Sequence, residues 1–133
     1  MARILLIDDD DSLRTFLSLA LAEHGHTVIE AHNGEVGLKA FAEVKPDLVI
    51  TDLVMPEKSG LEVLTELQTK TPPVKAIAMS GGRRHGAGDD LETARSLGAA
   101  RVLSKPFSFD ALIAAIRELL PEDGVGSRTT AGS

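Results

Sequence analysis

The chain contains no cysteine, no tryptophan and no tyrosine, and only four phenylalanines among its 133 residues. Without cysteine there is no disulfide, no thiolate metal site and no cysteine nucleophile. With aromatics this scarce, stacking platforms for single-stranded nucleic acid are missing as well. Positive charge is also in short supply: the net charge is −6. Arg83-Arg84-His85 is the one local basic cluster and reads as a solvated loop. Direct nucleic-acid binding normally needs a basic stripe, so it is not expected. No window stays apolar long enough to span a bilayer. The start runs straight into a candidate strand without a basic leader and a long apolar stretch. Neither a membrane segment nor a cleaved signal peptide is expected, and the cytoplasm is the expected location. Of the four histidines, His24, His26 and His32 fall at element boundaries and read as surface or structural residues. His85 has no second nitrogen or sulfur ligand near it in sequence, so zinc is not expected.

What is present is a repeating alternation of apolar runs with helical patterns. Arg3 to Asp8 reads as a buried strand. Asp11 to His24 reads as a helix, with Asp11 or Ser12 as N-cap, an apolar face of Leu13, Phe16, Leu17, Ala20 and Leu21, and Gly25 just past its end. His26 to Ala31 is a second strand, and Asn33-Gly34 opens a second helix carrying Leu38 and Phe41. Asp47 to Asp52 is the third strand, and Ser59 to Thr69 the third helix, with Leu61, Leu64 and Leu67 inside and Lys70-Thr71-Pro72-Pro73 breaking it. Lys75 to Ser80 is the fourth strand. The stretch from Gly81 to Gly88 holds four glycines in eight residues, which predicts a loop. Asp89 or Asp90 then caps a fourth helix presenting Leu91, Ala94 and Leu97 and stopping at Gly98. Arg101 to Ser104 is a short fifth strand, Lys105-Pro106 a turn, and Ser108 the cap of a last helix with Phe109, Leu112, Ile113, Ile116 and Leu120 on its face and Pro121 at its end. Residues 1–121 thus form one domain. The Gly/Ser/Thr-rich stretch 122–133 is expected to be a disordered tail.

Five strand–helix repeats with continuously apolar strands predict a parallel sheet covered on both faces. Right-handed crossovers place all the strands' C-terminal ends on one rim. Asp8 and Asp9, Asp52, Ser80 and Lys105 all fall at those ends. Carboxylates gathered there repel, so a positive group belongs among them. Mg²⁺ suits hard oxygen ligands and keeps several waters. Asp9 and Asp52 can bind it directly, Asp8 through water, and the backbone carbonyl of Val54 can complete the protein's share. The Asp52 carboxylate can then act as a nucleophile toward phosphorus, with Lys105 pairing as a point charge and Ser80 donating its hydroxyl to phosphoryl oxygens. Asp10 and Asp11 read as residues favoured by a helix N-terminus, and Met55 and Met79 as packing residues.

Ile7-Asp8-Asp9, then Asp52-Leu53-Val54-Met55-Pro56 with Gly60, then Met79-Ser80-Gly81, then Lys105-Pro106-Phe107 stand in one order along the chain up to Pro121. In this the sequence resembles the receiver domains of two-component response regulators, of the chemotaxis-regulator type. The resemblance implies a flavodoxin-like, doubly wound α/β fold with five parallel strands in the order 2-1-3-4-5 and five helices. It also implies phosphoryl transfer to Asp52 from a histidine kinase or histidine phosphotransfer protein, a Mg²⁺ requirement, and coupling of phosphorylation to a shape change through Ser80 and Lys105. A cis Lys105-Pro106 bond, a downstream protein target, and a homodimer through the face of the fourth helix, fifth strand and fifth helix are further implications.

Two departures from the family pattern stand out. Receivers usually carry an aromatic residue on the fifth strand before the lysine, where this chain has Val102. A small side chain stiff at χ1 cannot report by swinging a ring, so output is expected from backbone movement of the loop after Ser80 or from another face, with that loop and the start of the fourth helix, residues 81–90, as the expected signalling surface. Val54 and Gly82 stand where receivers often place polar side chains. Neither can orient an attacking water, which predicts slow self-hydrolysis of the phosphorylated form. Three other readings stay open: a degenerate receiver serving as a phosphorylation-independent interaction module, a receiver fragment of a longer regulator or hybrid kinase, and an aspartyl-phosphate enzyme of the haloacid dehalogenase type. The last needs an Asp two residues after the nucleophile, where this chain has Val54.

Overall fold

The computed structural model describes residues 2–55, 58–69, 74–80 and 87–120, the side chains of 87–91 excepted. The elements run β1 (Arg3–Ile7), α1 (Asp11–Glu23), β2 (Thr27–Ala31), α2 (Gly34–Val44), β3 (Leu48–Asp52), α3 (Gly60–Leu67), β4 (Lys75–Ser80), α4 (Ala87–Ser96), β5 (Arg101–Ser104) and α5 (Phe109–Leu119). The strands form one sheet in the order β2-β1-β3-β4-β5, and every pairing is parallel. The flavodoxin-like arrangement implied by the resemblance is therefore the observed one.

The apolar runs explain the layering. β1, β3 and β4 are buried on both sides, so alternate residues feed two cores. Ile4, Leu6, Leu48, Ile50, Ile77 and Met79 pack under α1 and α5. Leu5, Ile7, Val49, Ala76 and Ala78 pack beneath α2, α3 and α4. Val102 joins this second core and Leu103 the first, as the two-residue period of β5 requires.

Helix starts follow side-chain capping. Asn33, Ser59 and Ser108 each accept a backbone N–H from three residues on. Helix α1 departs from expectation here: Asp10 is its N-cap, accepting from Leu13 N at 3.1 Å, in place of Asp11 or Ser12. The reason is that Asp8 Oδ1 takes the Asp10 N–H at 2.9 Å and fixes the turn one residue earlier. Phe16 is 57% exposed and does not enter the core; its ring meets the edge of Phe109. Helix α4 begins at Ala87, so Ala87 and Gly88 are helical and not part of the loop. Gly25 and Gly98 end helices with φ of 91° and 104°, a region open to glycine at little cost.

Residues 81–86, which include Gly82, Arg83, Arg84 and His85, lie outside the described residues, as do Pro56, Glu57, residues 70–73 and 121–133. Among the described residues, no helix is long and apolar enough to cross a membrane.

Candidate functional site

The pairing register carries the site. Ile7 lies opposite Thr51, so Asp8 and Asp52 follow one another across adjacent strand ends. Asp52 pairs with Met79, and Ser80 with Ser104, the residue before Lys105. Backbone bonds continue the row beyond the strands: Asp8 N to Ala31 O at 3.1 Å, Leu53 N to Met79 O at 2.9 Å and Lys105 N to Ser80 O at 2.7 Å. The Lys105-Pro106 peptide is cis.

Asp8, Asp52 and Ser80 are buried, among few polar residues that are. Asp9 is exposed. One carboxylate oxygen from each of Asp8, Asp9 and Asp52 lies within 4.8 Å of the others. Lys105 Nζ reaches into this group, 3.4 Å from Asp8 Oδ2 and 3.3 Å from Asp52 Oδ1. The second contact is an ion pair without hydrogen-bond geometry, so Asp52 Oδ1 is a buried acceptor with no donor. A buried, under-satisfied carboxylate oxygen facing two other carboxylates fits a hard divalent cation of the Mg²⁺ kind. Val54 follows in the loop, 45% exposed.

The electrostatics follow from burial. Burial pushes the Asp52 carboxyl up to about 6; Lys105 opposes this, while Asp8 and Asp9 add to it. Burial also raises Asp8 above its ordinary value, against the Asp10 N–H and Lys105, which favour its charged form. For Lys105, burial alone would lower the ammonium, but Asp52 and Asp8 together outweigh it and hold it above its usual value. One lysine thus does not compensate three carboxylates, and the site has an affinity for further positive charge.

The structure brings together the predicted Asp8, Asp9, Asp52 and Lys105, and sets Ser80 at the end of the neighbouring strand. Sequence reasoning passed over Arg14, whose guanidinium bonds to the Asp8 carbonyl, Asp11 and Glu30. Its spacing of three residues from Asp11 on one helix was the available signal. Thr51, buried and donating to the Asp52 carbonyl at 3.0 Å, was also missed, because a threonine inside an apolar strand is unexceptional.

The profile described as response regulator receiver domain matches residues 4–117. Chemotaxis protein CheY of Listeria monocytogenes is 34% identical over 119 residues, covering 89% of this chain and 98% of that protein. Transcriptional regulatory protein GlrR of Escherichia coli is 36% identical over 121 residues, covering 91% of this chain, which spans only 27% of the length of that regulator. Among solved structures, a response regulator receiver domain protein from Clostridium thermocellum superposes with a TM-score of 0.83 at 34% identity, over 90% of this chain and 94% of that one. Response regulator protein TrrA from Thermotoga maritima, solved in complex with Mg²⁺ and BeF, superposes with a TM-score of 0.77 at 35% identity, over 90% of this chain and all of that one.

Proposed function

The chain belongs to the response regulator receiver domain family of two-component systems, and from that premise we propose that Asp52 is the phosphoryl acceptor of a switch that changes partner binding. The observation that carries this reading is the buried Asp52 carboxylate, converging with Asp8 and Asp9 within 4.8 Å while Lys105 Nζ stands 3.3 Å away. An Asp52 oxygen attacks the phosphorus of a phosphohistidine on a histidine kinase or histidine phosphotransfer protein. The O–P bond forms, the N–P bond breaks, and the imidazole leaves with the bonding pair. Mg²⁺ held by Asp8, Asp9, Asp52 and the Val54 carbonyl would offset the negative charge gathered on the phosphoryl group. Lys105 leaves the carboxylates to pair with a phosphoryl oxygen, and Ser80 donates its hydroxyl to another. The chain is a phosphoacceptor, with no turnover of an external metabolite. The relative solved with Mg²⁺ and BeF supports the metal assignment.

Relatives of two kinds match: one of nearly the same length, and regulators several times longer. A receiver acting without its own output domain, in the cytoplasm, is the first reading; a receiver within a longer regulator is the second. A homodimer through α4, β5 and α5, and a downstream protein target, complete the proposal. Val102 favours one competing reading, a phosphorylation-independent interaction module, because a half-buried valine on β5 offers no ring to swing.

Incubation with a small acyl phosphate, with and without Mg²⁺, followed by peptide mass spectrometry decides between them. The expected result is a metal-dependent gain of one phosphoryl group on the peptide containing Asp52. No adduct in the presence of Mg²⁺ would leave the interaction module as the better account. A second expectation concerns the lifetime of that adduct. The Val54 side chain offers no polar atom to an incoming water, so Val54→Asn is expected to shorten the half-life of the phosphorylated protein severalfold by orienting that water. Its exposure makes the exchange structurally tolerable. Phosphate release from the purified, phosphorylated protein measures it, and an unchanged half-life contradicts the expectation.

A further inference from the structure

We propose that Arg14 is a positioning residue for the cation site, acting through the main-chain carbonyl of Asp8; this rests on the phosphoacceptor reading above. Arg14 Nη1 donates to the Asp8 carbonyl at 2.7 Å, Nη2 to Asp11 Oδ1 at 2.7 Å and Nε to Glu30 Oε1 at 3.1 Å. Three donors of one planar fork thus hold the end of β1, the first residue of α1 and a residue of β2. A lysine, with a single nitrogen, cannot hold all three in this geometry.

The carbonyl at Asp8 belongs to the peptide that joins Asp8 to Asp9. The Asp8 side chain is already fixed, with Oδ1 accepting the Asp10 N–H and Oδ2 facing Lys105. Asp9 is exposed, and its direction depends on the peptide before it. Arg14 holds that peptide by its carbonyl oxygen. Release it, and the peptide is free to rotate, turning the Asp9 carboxylate away from Asp8 and Asp52.

Charge and position make opposite predictions. Loss of a nearby positive charge by itself makes the acidic group more attractive to a cation. Loss of a support for a ligand-bearing peptide makes it less so. Arg14 is also paired with two carboxylates of its own, which leaves its charge largely offset at the site.

The test is Mg²⁺ titration of the full chain, followed through the amide resonances of Asp9 and Asp10, with far-UV circular dichroism confirming that each variant is folded. Arg14→Gln and Arg14→Lys are both expected to bind Mg²⁺ about tenfold more weakly than the parent, as loss of an outer support for a metal ligand typically does. Glu30→Gln, which keeps the bond to Asp8 and loosens only the contact to β2, is expected to stay within about twofold, since a half-exposed ion pair contributes little. Equal or tighter binding in Arg14→Lys, beside normal binding in the parent, overturns the positioning role alone. Weakening in Glu30→Gln as large as in Arg14→Lys also overturns it, because Arg14 would then be only a staple between α1 and β2. Absence of Mg²⁺ binding in the parent removes both this role and the phosphoacceptor reading.

Discussion

Asp52→Asn is expected to abolish phosphoryl acceptance and to make the protein more stable at neutral pH without divalent metal. The first effect follows from replacing the proposed nucleophile with an amide, and should appear as complete loss of the metal-dependent adduct. The second follows from the sign of the titration. Asp52 ionises near 6 in the folded protein, whereas 3.8 is its ordinary value. Between those limits the folded chain holds a proton that the unfolded chain has given up, so stability falls as pH rises through this window. Above about pH 6 both states are ionised and the full cost is present; two pK units correspond to about 3 kcal/mol. Asparagine stays neutral throughout and escapes this cost. In urea unfolding at pH 7.5 with a chelator, the variant should exceed the parent by about 2–3 kcal/mol, and the gap should close below pH 4. Saturating Mg²⁺ should narrow it, because the ion stabilises the parent in proportion to how tightly it binds. A variant no more stable than the parent at pH 7.5 without metal would show that Lys105 neutralises the site more fully than the burial of Asp52 implies.

Gly60→Ala is expected to be the most damaging single change at a residue without chemistry of its own. A Cβ on Gly60 would fall against the carbonyl oxygen of Asp52, 2.7 Å from the Leu53 Cα and 2.9 Å from the Asp52 carbonyl carbon. All three are backbone, and that backbone carries the Asp52 carboxylate. The Gly60 N–H also bonds to the Leu53 carbonyl at 3.0 Å, closing the loop between β3 and α3. Relief requires α3 to move off the strand or Asp52 to leave its place beside Asp8. A cost of about 3 kcal/mol or more is expected, which for a chain of this size lowers the melting temperature by about 10 °C or more. Whatever remains folded should bind Mg²⁺ and accept phosphate poorly. A thermal melt within about 2 °C of the parent would mean that the loop yields cheaply, and that the close approach does not fix Asp52.

Much of this was legible from residue order. Continuous apolar runs marked the strands, and aspartates at their ends marked the site, because a charge following a buried strand needs a reason. Asn33, Ser59 and Ser108 announced helix starts by their own chemistry. The less legible features depend on what the chain meets in space. Four consecutive aspartates offer four equivalent caps, and only the bond from Asp10 N to Asp8 Oδ1 selects Asp10. Phe16 keeps the helical spacing of a core residue, yet it falls at the margin where α1 meets the start of α5, and a ring there stays wet. Glycines suggested a loop through Gly88, but helix propensity is a weak prior that tertiary context overrides, and α4 starts at Ala87. The crowding at Gly60 and the reach of Arg14 to Asp8 and Glu30 depend on how the chain turns in space; the three-residue spacing to Asp11 signals only one of the three Arg14 contacts.

The bond from Lys105 N to Ser80 O, at 2.7 Å, ties the two side chains assigned to grip a phosphoryl group into one jaw. A main-chain shift at Ser80 would break that link or carry the main chain of Lys105 along. Since Lys105 opens the turn into α5, such a shift would reach the root of that helix. On the phosphoacceptor reading, a valine at 102 would then not silence the switch, because main chain in place of a hinged ring would carry the movement.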